Sequence, residues 1–97
     1  MLLTIKKQVD ETLEMKTPAY YNDYLGNPAY VNDAGELIIV RNAMLLVWYP
    51  KNGDVYHKQI AELVTNGKPS TREQFETAYR TTLDNIQAAV DGVVINS

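Results

Sequence analysis

His57 is the only histidine in the chain, and there is no cysteine beside it or anywhere else. A single imidazole cannot build a histidine metal cluster, and without thiolates neither a cysteine zinc site nor an iron–sulfur centre can form. Asp54 and Glu62 flank His57 in sequence. In a helix Asp54 serves better as an N-cap, which leaves His57 as a surface or half-packed residue. Asp10, Glu11 and Glu14 form the closest carboxylate group. On a strand Asp10 and Glu14 share a face and Glu11 points away. Carboxylates acting as an acid–base pair need an enclosed cleft, and a solvated face accounts for these. The run Asn32-Asp33-Ala34-Gly35-Glu36 holds oxygen ligands but is too short and misspaced for a calcium-binding EF-hand loop. No glycine-rich phosphate loop or nucleophile elbow is present. The residues therefore assign no catalytic group, no cofactor and no metal ligand, and the reading is non-enzymatic.

What stands out instead is Pro18 to Asp33, PAYYNDYLGNPAYVND, where Pro-Ala-Tyr and Asn-Asp each occur twice. Tyr20, Tyr21, Tyr24 and Tyr30, four of the seven tyrosines, lie in it. Tyrosine offers large contact area at low entropic cost and is enriched at interfaces. The same rings could equally seal the edge of a thin core, hydroxyls in water. Tyr20 and Tyr21 alternate on a strand, so at most one faces the core squarely and the other turns outward. Stacking on single-stranded nucleic acid would need a basic groove beside the rings. The net charge is −3, the pI is about 5.0 and no run of Lys or Arg reaches three, so nucleic acid is not an expected partner.

The elements that must position these residues follow from the pattern. In residues 2–16, Leu3, Ile5, Val9, Leu13 and Met15 alternate with polar residues, as on a half-buried strand. Leu2, Ile5, Val9 and Leu13 also fit a helical stripe, and both readings stand. Pro18 ends this segment. Short extended pieces follow at Ala19–Tyr21 and Ala29–Val31, with turns at Asn22-Asp23 and at Leu25-Gly26-Asn27-Pro28. Asn32-Asp33-Ala34-Gly35 is the cleanest turn. Leu37–Val40 and Met44–Tyr49 are strands of β-branched, aliphatic and aromatic residues joined by a tight turn at Arg41-Asn42-Ala43. Lys51-Asn52-Gly53-Asp54 is a turn. Val55–Asn66 reads as a short helix capped by Asp54 with a left-handed exit at Gly67, or as a short strand at Asp54–His57. Ser70-Thr71-Arg72-Glu73 is a capping box. After it, Phe75, Ala78, Tyr79, Thr82, Leu83, Ile86, Ala89 and Val90 make a helical stripe that Gly92 should stop. Val93-Val94-Ile95 is then a final strand or a tail that packs on a partner.

These pieces add up to an α+β fold: a small antiparallel sheet of 4–5 strands packed against a long C-terminal helix, with a second short helix. Residues 1–97 are one domain by size, with a thin core. The start lacks a secretory h-region, and the apolar window Leu37–Tyr49 is too short to span a bilayer. The expected location is the cytoplasm, with no membrane partner.

The order of features, with Leu13-Glu14-Met15-Lys16-Thr17-Pro18-Ala19-Tyr20-Tyr21 near the start and Thr71, Glu73, Gln74, Phe75, Ala78 and Tyr79 opening the last helix, resembles small proteins of gut Bacteroidetes and of their phages and mobile elements. Gln74 departs from the second glutamate of that pattern. The resemblance implies a strand in the first segment and no catalytic residues. It implies an accessory, structural or host-enzyme-inhibiting protein that acts by binding. The expected function is thus a protein-interaction module, engaging another protein or itself as a homodimer, with Tyr20, Tyr21, Tyr24 and Tyr30 as the candidate interface. Phe75 begins the helical stripe, and Phe75→Ala should lower unfolding free energy by about 3–5 kcal/mol if the ring is buried, as read from a urea titration.

Overall fold

A computed structural model describes residues 1–8 and 10–96, the side chains of residues 8 and 91–96 aside. Two strands, β1 (Leu2–Gln8) and β2 (Glu11–Lys16), form an antiparallel hairpin. Residues 2–16 are therefore strand, but two strands rather than one. Leu3 opposes Met15 and Ile5 opposes Leu13, so the alternating apolar residues share the inner face. Val9, read above as one of them, lies outside the described residues.

After the cis Thr17–Pro18 bond come β3 (Ala19–Asn22), β4 (Pro28–Val31), β5 (Leu37–Arg41) and β6 (Met44–Trp48). With the two-residue β7 (Lys68–Pro69) they make a five-stranded antiparallel sheet in the order β6-β5-β4-β3-β7. Its turns follow side-chain chemistry. Asn32 Oδ1 accepts the amides of Ala34 and Glu36, and Gly35 takes φ +82°, which only glycine adopts without strain. Asn42 and Ala43 both have positive φ, the conformation that lets a two-residue hairpin match strand twist.

A 3-10 turn at Pro50–Asn52 leads into α1 (Asp54–Asn66), so the helical reading of this segment holds and the strand at Asp54–His57 is absent. Gly53 is the N-cap and Asp54 sits inside the first turn, where its charge suits the helix dipole. Gly67 does not leave in a left-handed conformation, since its φ is −90°. Glycine is needed there because a Cβ would run into the carbonyl oxygens of Asn22 and Leu63. α1, the inner face of the β1–β2 hairpin and one face of the sheet enclose the core: Ile5, Met15, Ala29, Val31, Leu37, Ile39, Tyr56, Ile60, Ala61 and Leu63. Tyr56, almost wholly buried, donates its hydroxyl proton to the Gly35 carbonyl and so ties α1 to the β4–β5 turn.

The last helix, α2 (Arg72–Asn96), starts one residue later than the Ser70 cap implies. Thr71 Oγ1 accepts the Gln74 amide, and the Ser70 hydroxyl donates to the Gln74 side chain instead. Gly92 does not stop the helix: the backbone stays helical through Val93-Val94-Ile95 to Asn96. A helix-interior glycine costs only about 1 kcal/mol, too little to end a helix by itself. α2 packs on the opposite face of the sheet from α1, across β4, β5 and β6. Of the stripe, Phe75 and Thr82 are buried and Ala78 and Tyr79 half-buried, whereas Leu83, Ile86, Ala89 and Val90 are exposed. Gly67→Ala should lower stability by at least about 2 kcal/mol, because backbone rather than a mobile side chain occupies the space; urea denaturation measures it.

Candidate binding groove

Strand alternation sorts the four tyrosines. Tyr20 pairs with Tyr30, and Tyr30 with Ile38, so these three lie on the outer face of the sheet, under α2. Tyr21 is on the inner face and packs against the core. Tyr24 is 69% exposed in the β3–β4 loop and stands apart, at a small recess of about 30 Å³ bordered by Asp23, Arg41 and Glu62. The structure thus brings together two of the four sequence candidates, Tyr20 and Tyr30, and separates Tyr21 and Tyr24 from them.

Tyr20 and Tyr30 stack with centroids 4.8 Å apart and planes within 10°. The register of β3 and β4 makes this contact, because directly opposed side chains sit at stacking distance. Phe75, from the first turn of α2, caps the pair at 5.3 Å from Tyr30 and 6.1 Å from Tyr20. One helical turn on, Tyr79 stacks on Phe75 at 5.8 Å. Such ring pairs add about 0.5–1.5 kcal/mol each beyond their area burial. Between the helix and the sheet an open groove of about 400 Å³ remains, lined by Pro18, Tyr20, Tyr30, Ile38, Phe75 and Tyr79. Its rim carries Arg72 and Glu76, joined at 2.7 Å across one helical turn.

The groove is close to neutral in charge. The Arg72 hydrogen bond holds Glu76 below its ordinary carboxylate range and, reciprocally, raises Arg72. The Tyr30 phenol is pushed above its ordinary value, first by burial and then by the neighbouring Tyr20. It remains a neutral donor and acceptor. The arrangement offers flat apolar faces, hydroxyls at their edges and one self-neutralised ion pair. That suits an apolar, partly hydrogen-bonding ligand.

The other sequence candidates lie elsewhere. Asp10, Glu11 and Glu14 are exposed on the β1–β2 hairpin. His57 is half-buried on α1, its Nδ1 accepting the Lys6 amide at 3.0 Å, which places its ring proton on Nε2. Its work is to hold β1 against the helix. Asp33 accepts the Thr17 hydroxyl, and Asn32 and Glu36 bond to each other, so these side chains close the turn and tie it to the segment before β3. Among the described residues, no three His, Cys, Asp or Glu side chains are placed to hold a metal ion, and no helix is long and apolar enough to cross a membrane. No family model, curated protein or solved structure matches the chain.

Phe75, Tyr79, Pro18 and Ile38 line the groove without having been sequence candidates for it. Their signal is hidden, since an aromatic at helical spacing reads as core. Asp23, beside Tyr24, has a structural role. Burial raises its pKa, but hydrogen bonds from the Asn27 backbone and side chain, the Leu25 amide and Arg41 outweigh this and leave it below the ordinary value. A carboxyl depressed on folding contributes stability that is complete above its unfolded pKa and is lost as pH falls through the folded value. Asp23→Asn should therefore cost about 1–3 kcal/mol at neutral pH, and the gap to wild type should narrow as pH falls below the ordinary carboxylate value of about 4, first as the unfolded chain and then as the folded carboxyl takes up its proton; thermal melts across pH 2.5–7 check this.

Proposed function

We propose that this protein is a non-enzymatic interaction module whose outer-face groove receives an extended apolar segment of a partner protein, with proline or aromatic side chains on the Tyr20–Tyr30 stack. The observation that carries the reading is that stack itself. Two parallel phenol faces are held rigid by Phe75 beneath a groove that the protein's own helix leaves open. Aromatic-lined grooves favour preformed extended or polyproline-type segments, which lose little entropy on docking. The rim supports a protein over a nucleic acid, because the Arg72 charge is already paired with Glu76. The reading places the module in the cytoplasm. The resemblance to proteins of gut Bacteroidetes phages and mobile elements adds a setting, in which the segment would belong to a host enzyme or to another accessory protein.

Selection of random peptides on the immobilised protein, followed by affinity measurement, tests this. Recovered peptides should carry proline or aromatic residues. Tyr20→Ala should weaken their binding at least tenfold, while Tyr24→Ala, on the far loop, leaves it unchanged. Peptides indifferent to Tyr20, or equally sensitive to Tyr24, would contradict the groove.

A further inference from the structure

α2 contacts β4, β5 and β6 in turn. Phe75, at its start, sits over β3 and β4, yet the helix also contacts β6. Strands are about 4.8 Å apart, so those contacts come from turns further along. α2 therefore crosses the sheet from β3 towards β6. β6 is the edge, and from Leu83 onwards the described side chains of the helix are exposed.

The overhang keeps the character of the packed part. At 100° per residue, Ile86 and Val90 continue the face on which Phe75, Tyr79 and Thr82 pack, and Leu83 borders it. Leu83, Ile86 and Val90 are 40%, 40% and 50% exposed. A lone helix of this length is marginal in water even with good helix formers, and this one carries β-branched residues and Gly92. The face is built to lie on a sheet, but the protein's own sheet has ended. The edge strand beneath it, Met44-Leu45-Leu46-Val47-Trp48, has no charge and no proline, the usual devices that keep an edge from pairing. Val47 opposes Ile38, so it points to the outer face, and it is 41% exposed.

We infer that β6 and the overhang of α2 together form a homodimer interface. A second copy's β6 pairs antiparallel with this one about a two-fold axis, and each overhang lies on the outer face of the other copy's β6 and β5. An antiparallel edge pairs with itself without any change of sequence, which is the condition for an isologous contact. The dimensions agree. Leu83 to Val90 spans roughly 10 Å of helix, the width of about two strands. Each copy contributes a five-residue strand edge, two apolar helical turns and the outer face that receives the partner's turns, together on the order of the 800 Å² per partner that a stable interface buries. A foreign strand added at β6 would extend the sheet too, but only a second copy supplies a matching overhang in return.

Sedimentation equilibrium over a concentration series tests the interface with Val47→Lys and Ile86→Glu, both at already exposed positions, and Tyr24→Ala, in the exposed β3–β4 loop, as a control outside it. The expected result is a dimer of the 11.0 kDa chain in the wild type and in Tyr24→Ala, and a dissociation constant raised at least tenfold by each of the other two. Circular dichroism checks that both variants keep the folded sheet. A strict monomer at hundreds of micromolar, or a dimer that neither variant weakens, overturns the inference.

Discussion

The contact of Phe75 with the stacked Tyr20–Tyr30 pair fixes where α2 begins on the sheet, and the rest of the outer face follows from that anchor. A helix of 25 residues is about 37 Å long. Five strands at about 4.8 Å spacing make a sheet only about 20 Å wide. A helix pinned at the β3–β4 end must therefore run past the β6 edge. The same pin holds the helix clear of Pro18 and Ile38, leaving the groove. The groove and the overhang are thus two consequences of one constraint.

The two faces of the sheet differ in kind. The inner face is closed by hydrogen bonds that leave little for a ligand: Tyr56 to the Gly35 carbonyl and the Lys6 amide to His57 across the fold, and the Asn32 side chain within its own turn. Stability resides there, with Ile5, Val31, Leu37 and Ile60 each contributing about 1.5–3 kcal/mol by burial. The outer face is covered only under the first three turns of α2. What remains of it is aromatic at one end and aliphatic at the other. The two ends suit different occupants, an extended segment in the groove and a sheet under the overhang.

Much of the fold is written locally in the sequence. The Asn32–Gly35 turn, the strands at Leu37–Val40 and Met44–Tyr49, and both helices carry their own signals in turn chemistry, β-branching and 3.6-residue periodicity. The failures are where tertiary context decides. Gly67 and Gly92 look like helix stops, but one is required by a close backbone approach and the other is tolerated inside a helix. The Thr71 cap takes over from Ser70 by a one-residue shift that propensity does not distinguish. The stripe from Phe75 to Val90 is continuous in sequence, and only the width of the sheet shows that half of it has nothing beneath it. Among the tyrosines, alternation separates Tyr20 from Tyr21. Pairing Tyr20 with Tyr30 needs the strand register, and adding Phe75 needs the helix placement. Neither is local information.

In the proposed homodimer a second copy completes the distal half of α2 and the β6 edge. Hydrogen–deuterium exchange at two protein concentrations, one well below and one well above the expected dimer transition, reads this contact residue by residue. Amides of Leu83–Val90 and of β6 should become markedly better protected at the higher concentration, while the buried α1 amides should not change. Equal exchange of α2 and β6 at both concentrations would contradict it.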